Sequence, residues 1–118
     1  MNKSKTLVVI PVFNGEDFIK KSLDSCLIQT VNTHVWVLDN CSTDSTQQIV
    51  KNYIKKNEYV NLIVNKENLG RIGNINQGLD CFINSDFEYI KFLFCGDELV
   101  EDSIEIVEKI FLRLVLHL

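Results

Sequence analysis

Four side chains spaced through the sequence have the chemistry to bind one phosphorylated ligand. Phe13 follows an apolar run and could stack on a base, and Asp39 follows a second run and could accept N–H donors from a pyrimidine ring or bind a ribose hydroxyl. Arg71 could bind a diphosphate with its forked guanidinium. Asp97 could hold Mg²⁺ or Mn²⁺ together with two phosphate oxygens. Together these residue types fit a nucleoside diphosphate bound with a divalent cation.

Each of these side chains also has an ordinary structural role open to it. Phe13 could belong to a hydrophobic core, and Asp39 could brace the loop at residues 42–44. Arg71 could pair with a surface carboxylate, and Asp97 could lie at the N-terminus of a last helix. The case for a shared site therefore depends on whether the intervening elements bring these residues to one place.

Apolar runs and amphipathic segments alternate along the chain. The β-branched apolar runs predict strands, and the segments with apolar residues at helical spacing predict helices. The predicted strands are Thr6–Val12, His34–Asp39, Val60–Val64 and Glu88–Phe94, and the predicted helices are Glu16–Gln29, Ser45–Lys56, Arg71–Asn84 and Glu101 to the end. We also expect Asn14 and Asp17 to cap the first helix and Phe18 to lie on its buried face.

This βαβαβαβα order predicts an α/β domain with a mainly parallel sheet and helices on both faces. The carboxyl ends of parallel strands meet at one edge of the sheet, and ligands bind beyond that edge where the strand order reverses. Phe13, Asp39 and Asp97 follow predicted strands closely, and Arg71 follows the third strand after a short loop. We therefore expect the four side chains to converge on one crevice.

Composition and charge exclude several classes of protein. The chain has 118 residues, 46% hydrophobic and 24% charged, which is typical of one globular domain rather than a disordered segment. Its net charge of −4 and the lack of a Lys/Arg cluster argue against a nucleic acid partner. No run of about 18 apolar residues predicts a membrane span. With no export signal evident and no zinc-type spacing, we interpret the four cysteines (Cys26, Cys41, Cys81, Cys95) as reduced cytosolic thiols.

Residues 111–118 form an apolar tail with the sequence FLRLVLHL. A surface helix has one apolar stripe, whereas this segment is apolar nearly all round. Either a partner packs against it, or a further element of a longer chain covers it. In the first case we expect a homo-oligomer formed through the C-terminal helix.

Four segments resemble, in order and spacing, the N-terminal half of family 2 glycosyltransferases, which have the GT-A fold. Residues 9–16 (VIPVFNGE) look like the opening strand and loop of that family, and residues 37–46 (VLDNCSTDST) look like its D-[DN]-x-S-T-D-x-[ST] segment. Residues 68–79 (NLGRIGNINQGL) are similar to its N-x-G-R-x-G-N-x-N subgroup. Residues 89–94 then lead to its acidic metal motif, where this chain keeps Asp97 but has Gly96 in place of another acid.

The resemblance implies a role for each candidate residue. Asp39 would contact the nucleobase, Phe13 would flank it, and Arg71 would lie near the ribose or the phosphates. Asp97 would be the ligand of Mg²⁺ or Mn²⁺, whose charge offsets that of a diphosphate in a chain this acidic. The implied nucleotide-binding residues are Pro11, Val12, Phe13, Asn14, Glu16, Asp39, Asn40 and Arg71.

By the same resemblance, residues 1–118 are a single GT-A-like, Rossmann-like donor domain without an acceptor-binding half, and inactive alone. The implied activity is inverting transfer of a sugar from a nucleotide-diphospho-sugar, most commonly a UDP-sugar, in the synthesis of bacterial surface polysaccharide or glycoconjugate. The acceptor is a sugar, a lipid or a polysaccharide. Its general base is expected in the other half, so no catalytic residue is assigned here. We expect a cytoplasmic protein, free or peripheral at the inner face of the membrane.

Three other interpretations are considered against the same residues. A non-catalytic nucleotide-binding or interaction remnant of such an enzyme would have a similar sequence, and absence of metal-dependent nucleotide binding would favour it. A response-regulator receiver needs an acidic pair after the first strand, where this chain has Asn14 and Gly15. A calcium loop starting at Asp39 fails because its sixth position is Asp44 rather than glycine and its twelfth is Val50 rather than glutamate.

Overall fold

The computed structural model describes residues 3–116, in which four strands and four helices alternate. The elements are β1 (Lys3–Val12), α1 (Ile19–Leu27), β2 (Asn32–Asp39), α2 (Thr46–Lys56), β3 (Val60–Val64), α3 (Gly70–Ile83), β4 (Tyr89–Phe92) and α4 (Ser103–Leu116). All eight predicted elements are confirmed, and no described end differs from its predicted position by more than three residues. The last two residues of the predicted final helix lie outside the described part.

The four strands form one parallel sheet in the order β3-β2-β1-β4. Four consecutive residues of β1, Leu7 to Ile10, are fully buried because the strand has neighbours on both sides and helices on both faces. The chain passes from β1 outward to β2 and β3 and then places β4 on the opposite side of β1. The strand order therefore reverses at β1, and the predicted parallel sheet is confirmed.

Side chains alternate along the strands between two hydrophobic clusters. Helices α1, α2 and α4 cover one face, where the buried cluster includes Val8, Ile10, Leu23, Val50 and Ile104. Helix α3 covers the other face, where the cluster includes Leu7, Val9 and Leu38 with Cys81 and Phe82 packed against them. The prediction of helices on both faces is confirmed, and the three helices on the first face build the larger cluster.

The start of α1 differs from the sequence prediction. The carbonyl of Gly15 accepts hydrogen bonds from the backbone N–H groups of Phe18 (3.0 Å) and Ile19 (2.9 Å), so a turn precedes the helix. Asn14 has a φ of 50°, and its side chain accepts from the loop after β2 rather than from α1, so the predicted cap by Asn14 and Asp17 is wrong. Phe18 belongs to this turn and is 55% exposed, so its predicted burial is also wrong.

Helix α4 is attached to the sheet by few side chains. Ile104 is buried, Phe111 stacks on Tyr89 with 5.0 Å between ring centroids, and the carboxylate of Glu108 accepts hydrogen bonds from the hydroxyls of Ser4 and Thr6. Eight apolar residues are at least 40% exposed: Ile106, Val107, Ile110, Phe111, Leu112, Leu114, Val115 and Leu116. Within residues 3–116, no helix combines the length and the apolar character needed to cross a membrane.

Candidate functional site

A cleft of about 550 Å³ opens at the carboxyl edge of the sheet, beside the end of β1. This is the place where the strand order reverses, as expected for a ligand site in a doubly wound sheet. The lining residues come from the segments after all four strands: Pro11, Val12, Phe13, Asn14, Gly15, Phe18, Asn40, Asn68, Gly70, Arg71, Asn74, Phe94 and Cys95.

Most of the candidate residues from the sequence come together in this cleft. Six of them line it: Pro11, Val12, Phe13, Asn14, Asn40 and Arg71. Asp39 lies next to the lining, since it pairs in register with Val12 and precedes Asn40. Glu16 and Asp97 are exposed residues outside the lining.

Asp39 is fully buried at the end of β2. Its Oδ2 accepts hydrogen bonds from the N–H of Ser42 (2.8 Å) and the amide of Gln47 (2.9 Å), so it does brace the following loop. Its Oδ1 is buried and has no hydrogen-bond partner among the described residues. A buried carboxylate oxygen without a donor is costly, and it is the kind of atom that a bound ligand's N–H or O–H group would satisfy.

Four asparagines join the ends of β2 and β3 to α3, and we call Asn40, Asn65, Asn68 and Asn74 the β2–β3 wall. The amide nitrogen of Asn40 donates to Asn68 Oδ1 (2.9 Å) and Gly70 O (3.1 Å), and its Oδ1 accepts from Asn65 Nδ2 (3.1 Å) and Leu69 N (2.8 Å). Asn65 Nδ2 also donates to Asn74 Oδ1 (2.8 Å), and Asn74 Nδ2 donates to Leu38 O (3.0 Å).

The hydrogen-bonding capacity of the Asn40 side chain is therefore taken up by the protein. A primary amide has two N–H donors and one oxygen with two lone pairs, and all are used. Asn40 lines the cleft, but the geometry gives its side chain the work of holding the segment around Arg71. The sequence reasoning missed Asn65, Asn68 and Asn74 as part of the site. Their positions at a strand end and at the start of a helix were the available signal.

The loops after β1 and β2 are also locked together. The N–H of Asn14 donates to Ser42 Oγ (2.8 Å), and that of Gly15 donates to Thr46 Oγ1 (3.0 Å). The carboxylate of Glu16 accepts from the N–H of Ser45 (2.8 Å), which commits one of its oxygens to this contact. These bonds fix the backbone of residues 14–16 beside the cleft.

Asp44 anchors this loop through its carboxylate. Its oxygens accept from Thr46, through both N–H and hydroxyl, and from the N–H of Glu16. Desolvation raises the pKa of Asp44, but these hydrogen bonds outweigh it and hold the pKa below its ordinary value. The charged form that makes the bonds is therefore present throughout the neutral pH range.

Two aromatic rings lie at the cleft with open faces. Phe13 is 48% exposed, so it is not a core residue, and a planar base could stack on it. The guanidinium of Arg71 lies over the ring of Phe94, with 5.3 Å from Cζ to the centroid. Among the described residues Arg71 forms none of the ion pairs, so the surface carboxylate considered for it from the sequence is not found.

The segment after β4, residues 95–104, forms the opposite side of the cleft, and we call it the β4 wall. Ser22 Oγ accepts from the N–H of Gly96 (2.9 Å) and donates to the carbonyl of Asp97 (2.7 Å). Ser25 accepts from the N–H of Leu99, and Gln29 binds backbone groups of Val100 and Ile104. These three polar residues of one face of α1 hold the wall, and the sequence reasoning missed them although their spacing was visible.

Gly96 and Gly15 are required by the backbone on this side. Gly96 has a φ of 102°, which a side chain rarely tolerates. A Cβ on Gly15 would lie 2.5 Å from Val12 Cγ2 and 2.7 Å from Cys95 Sγ. The close approach of the β1 loop to Cys95 therefore depends on the missing side chain.

A metal ion at the cleft would have one carboxylate available from the β4 wall. Asp97 is exposed and lies five residues before α4 ends its preceding turn, so it does not belong to the N-terminus of that helix. Among residues 3–116, no group of three or more His, Cys, Asp or Glu could hold a metal by itself. One carboxylate suffices for Mg²⁺ or Mn²⁺ only where phosphate oxygens supply further ligands, so the residues fit a metal that arrives with a diphosphate.

Cys95 is a poor metal ligand in this setting. Burial raises the pKa of its thiol to about 11, the nearby charge of Asp44 raises it further, and Lys21 partly offsets both. Because the thiolate is the form that binds metals, the thiol is inactive for this purpose at neutral pH.

The fold and the position of the cleft define a Rossmann-like α/β domain. Among solved structures, S. aureus TarS in complex with UDP-GlcNAc matches with a TM-score of 0.81 and 25% identity over 96% of this chain and 32% of that one. The structural neighbours are glycosyltransferases of the GT-A fold, so the expected fold class is confirmed.

The family model for Glycosyl transferase family 2 matches residues 7–93, and this chain belongs to that family. Glycosyltransferase GlyA of Streptococcus pneumoniae is 31% identical over 106 residues, which are 89% of this chain and 15% of that protein. Poly(ribitol-phosphate) beta-glucosyltransferase of Bacillus spizizenii is 34% identical over 103 residues, 85% of this chain and 16% of that protein. The chain thus spans less than a third of the length of each of these three proteins.

Proposed function

We propose that this chain is the donor-binding portion of an inverting glycosyltransferase that uses a nucleotide-diphospho-sugar. The observation that carries the proposal is the buried Oδ1 of Asp39, which has no partner among the described residues and lies beside a cleft of about 550 Å³. Family membership and the position of the cleft at the strand-order reversal support it.

The base is the part of the ligand that Asp39 would recognise. An ionised carboxylate only accepts hydrogen bonds, so its unpartnered oxygen favours a base with a ring N–H. Uracil carries such an N–H at N3, whereas cytosine has an acceptor there. Phe13, with its half-exposed ring, would flank the base, and a UDP-sugar is the donor we propose.

The diphosphate would lie between the two sides of the cleft. Arg71 would bind the phosphates or the ribose with its guanidinium. Asp97, with phosphate oxygens, would hold Mg²⁺ or Mn²⁺, and the cation would offset the charge of the departing nucleoside diphosphate. Arg71 would stabilise the same charge from its position above Phe94.

The acceptor site and the general base are assigned to the part of the relatives that this chain does not span. There a carboxylate would take the proton of an acceptor hydroxyl as its oxygen attacks the anomeric carbon. The bond from that carbon to the diphosphate breaks on the opposite side, which inverts the configuration. The names of relatives such as poly(ribitol-phosphate) beta-glucosyltransferase support a polymer of the bacterial surface as the product class.

We also propose that the exposed apolar surface of α4 is covered in a homo-oligomer. Eight large apolar side chains of one helix are exposed together, which is unusual for a monomeric surface. A cytoplasmic position, free or peripheral at the inner membrane face, suits an enzyme that draws on nucleotide sugars.

Titration of the chain with UDP and CDP, with and without Mn²⁺, tests the donor site. We expect UDP to bind more tightly than CDP, and Mn²⁺ to strengthen binding of UDP. Asp39→Asn should weaken UDP binding at least about tenfold, since a charged acceptor for a buried hydrogen bond is lost. Asp97→Ala should remove the effect of Mn²⁺.

Asp86→Asn, at an exposed carboxylate away from the cleft, is the matched control and should bind UDP as the unmodified chain does. Circular dichroism checks that each variant is folded. If Asp39→Asn does not fold, the preference for UDP over CDP in the unmodified chain still tests the role of the carboxylate. A folded chain that binds neither nucleotide with Mn²⁺ present would overturn the proposal.

A further inference from the structure

The charges at the cleft are uneven for a ligand with a diphosphate. Arg71 is the one charged residue among those that line it, and it lies on the side of α3 and Phe94. A diphosphate carries at least two negative charges, and a second cation on the opposite side would share them. The described residues near that side include one lysine that no other contact explains.

This lysine is Lys21, in the first turn of α1. Its Nζ lies 6.0 Å from the ring centroid of Phe18, and Phe18 lines the cleft. The next residue, Ser22, binds the backbone of Gly96 and Asp97. Lys21 is therefore attached to the same turn of helix that holds the β4 wall in place.

The neighbouring lysine provides a contrast within the same helix. Lys20 points to the groove between α1 and α2, where its Nζ lies 3.6 Å from a carboxylate oxygen of Asp24. Lys21 takes part in none of the ion pairs formed within residues 3–116. Its ammonium is exposed and close enough to Cys95, a cleft residue, to lower the pKa of that thiol against the effect of burial.

We propose that Lys21 is a phosphate-binding residue that contacts the diphosphate of the donor from the side opposite Arg71. The inference rests on the proposed function, because it names a further contact in that site. The ammonium sits on a flexible four-carbon stem and has three donors, so it can follow a phosphate at the mouth of the cleft. Gly96 has no side chain that would stand between Lys21 and this space.

The test compares UDP with uridine, which has the same base and ribose but no phosphate. Dissociation constants are measured by nuclear magnetic resonance titration for the unmodified chain and for Lys21→Met, Lys20→Met and Lys21→Arg. Lys21→Met should weaken UDP binding about fivefold, as expected for the loss of one partly exposed charge contact, and should leave uridine binding unchanged. Lys20→Met should change neither, and Lys21→Arg should restore most of the affinity for UDP.

The outcomes separate this inference from the proposed function. If the unmodified chain binds UDP and Lys21→Met binds it equally well, Lys21 is not a phosphate contact, while the donor site stands. Equal weakening of UDP and uridine by Lys21→Met would also overturn the inference, because the effect would then not depend on phosphate. If the unmodified chain binds neither ligand, the proposed function itself fails.

Discussion

The two sides of the cleft are held by different means. In the β2–β3 wall, side-chain amides bond to one another, and Asn65 and Asn74 are buried while they do so. In the β4 wall, the backbone of the segment is held by side chains from another element, α1, through Ser22, Ser25 and Gln29. One side thus uses its own side chains for structure, whereas the other keeps them exposed.

This difference shows why residues of similar appearance have different value as ligands. Asn40 and Glu16 are polar, lie at strand ends and match a binding motif, yet their side chains hold neighbouring loops. Arg71 and Asp97 are polar and exposed, and no ion pair within residues 3–116 engages them. The loops that are bonded by their own side chains position the groups that remain free.

The largest loss of stability is expected for Asn74→Ala. This change removes a donor to Leu38 O and an acceptor for Asn65 Nδ2, both in a buried network. Unpaired buried groups should lower the free energy of unfolding by about 2 to 3 kcal/mol, measured by urea denaturation. Asn76→Ala, on an exposed position of the same helix, is the control and should change it by less than about 0.5 kcal/mol. Equal effects of the two changes would contradict the assigned role of the network.

A smaller and more local effect is expected for Ser22→Ala. The change frees the N–H of Gly96 and the carbonyl of Asp97, at a cost of about 1 kcal/mol. In the folded chain the thiol of Cys95 has its pKa raised to about 11, chiefly by burial, so at pH 8 it should react slowly with iodoacetamide. In the variant, greater exposure should lower that pKa toward 9.0 and speed alkylation several-fold.

Peptide mapping by mass spectrometry measures this alkylation residue by residue. Ser45→Ala, at a serine whose side chain makes no capping hydrogen bond, is the control and should leave the rate at Cys95 unchanged. Hydrogen exchange should rise at the amides of the β4 wall and stay constant at those of the β2–β3 wall. Faster exchange on both sides would show that the two walls are one unit.

The smallest effect on stability is expected at α4, which belongs to neither wall. Leu114 is 58% exposed, so Leu114→Lys should change the free energy of unfolding by less than about 0.5 kcal/mol. It should nevertheless reduce self-association, measured by sedimentation velocity over a range of concentrations. Ile83→Lys, at a 73% exposed residue of α3, should leave association unchanged. A chain that is monomeric without any substitution would contradict the proposed homo-oligomer.

The sequence predicted the order and type of the elements well because their periodicities were strong. The continuous apolar run of β1 reports burial on both faces, and it also predicts a parallel sheet. The start of α1 was predicted too early, since Phe18 fits the helical pattern by hydropathy alone. Its exposure follows from the turn at Gly15, which local pattern does not encode.

The candidate site was predicted in outline, and the resemblance to the family supplied most of its detail. Sequence reasoning brought Phe13, Asp39 and Arg71 to one edge, since strand ends meet there in a parallel sheet. Whether Asp39 braces a loop or offers a free oxygen was left open, and the structure shows one oxygen in the bracing role and the other without a described partner.

The sequence by itself determined the alternation of strands and helices, the family, and the edge of the sheet where polar side chains collect. These properties follow from local hydrophobic periodicity and from short motifs. The tertiary structure decided which of those side chains are already bonded to the protein. Hydrogen bonds such as those of Asn40 with Asn65 and of Ser22 with Gly96 join residues 25 and 74 positions apart, and only the packed sheet brings such groups within reach.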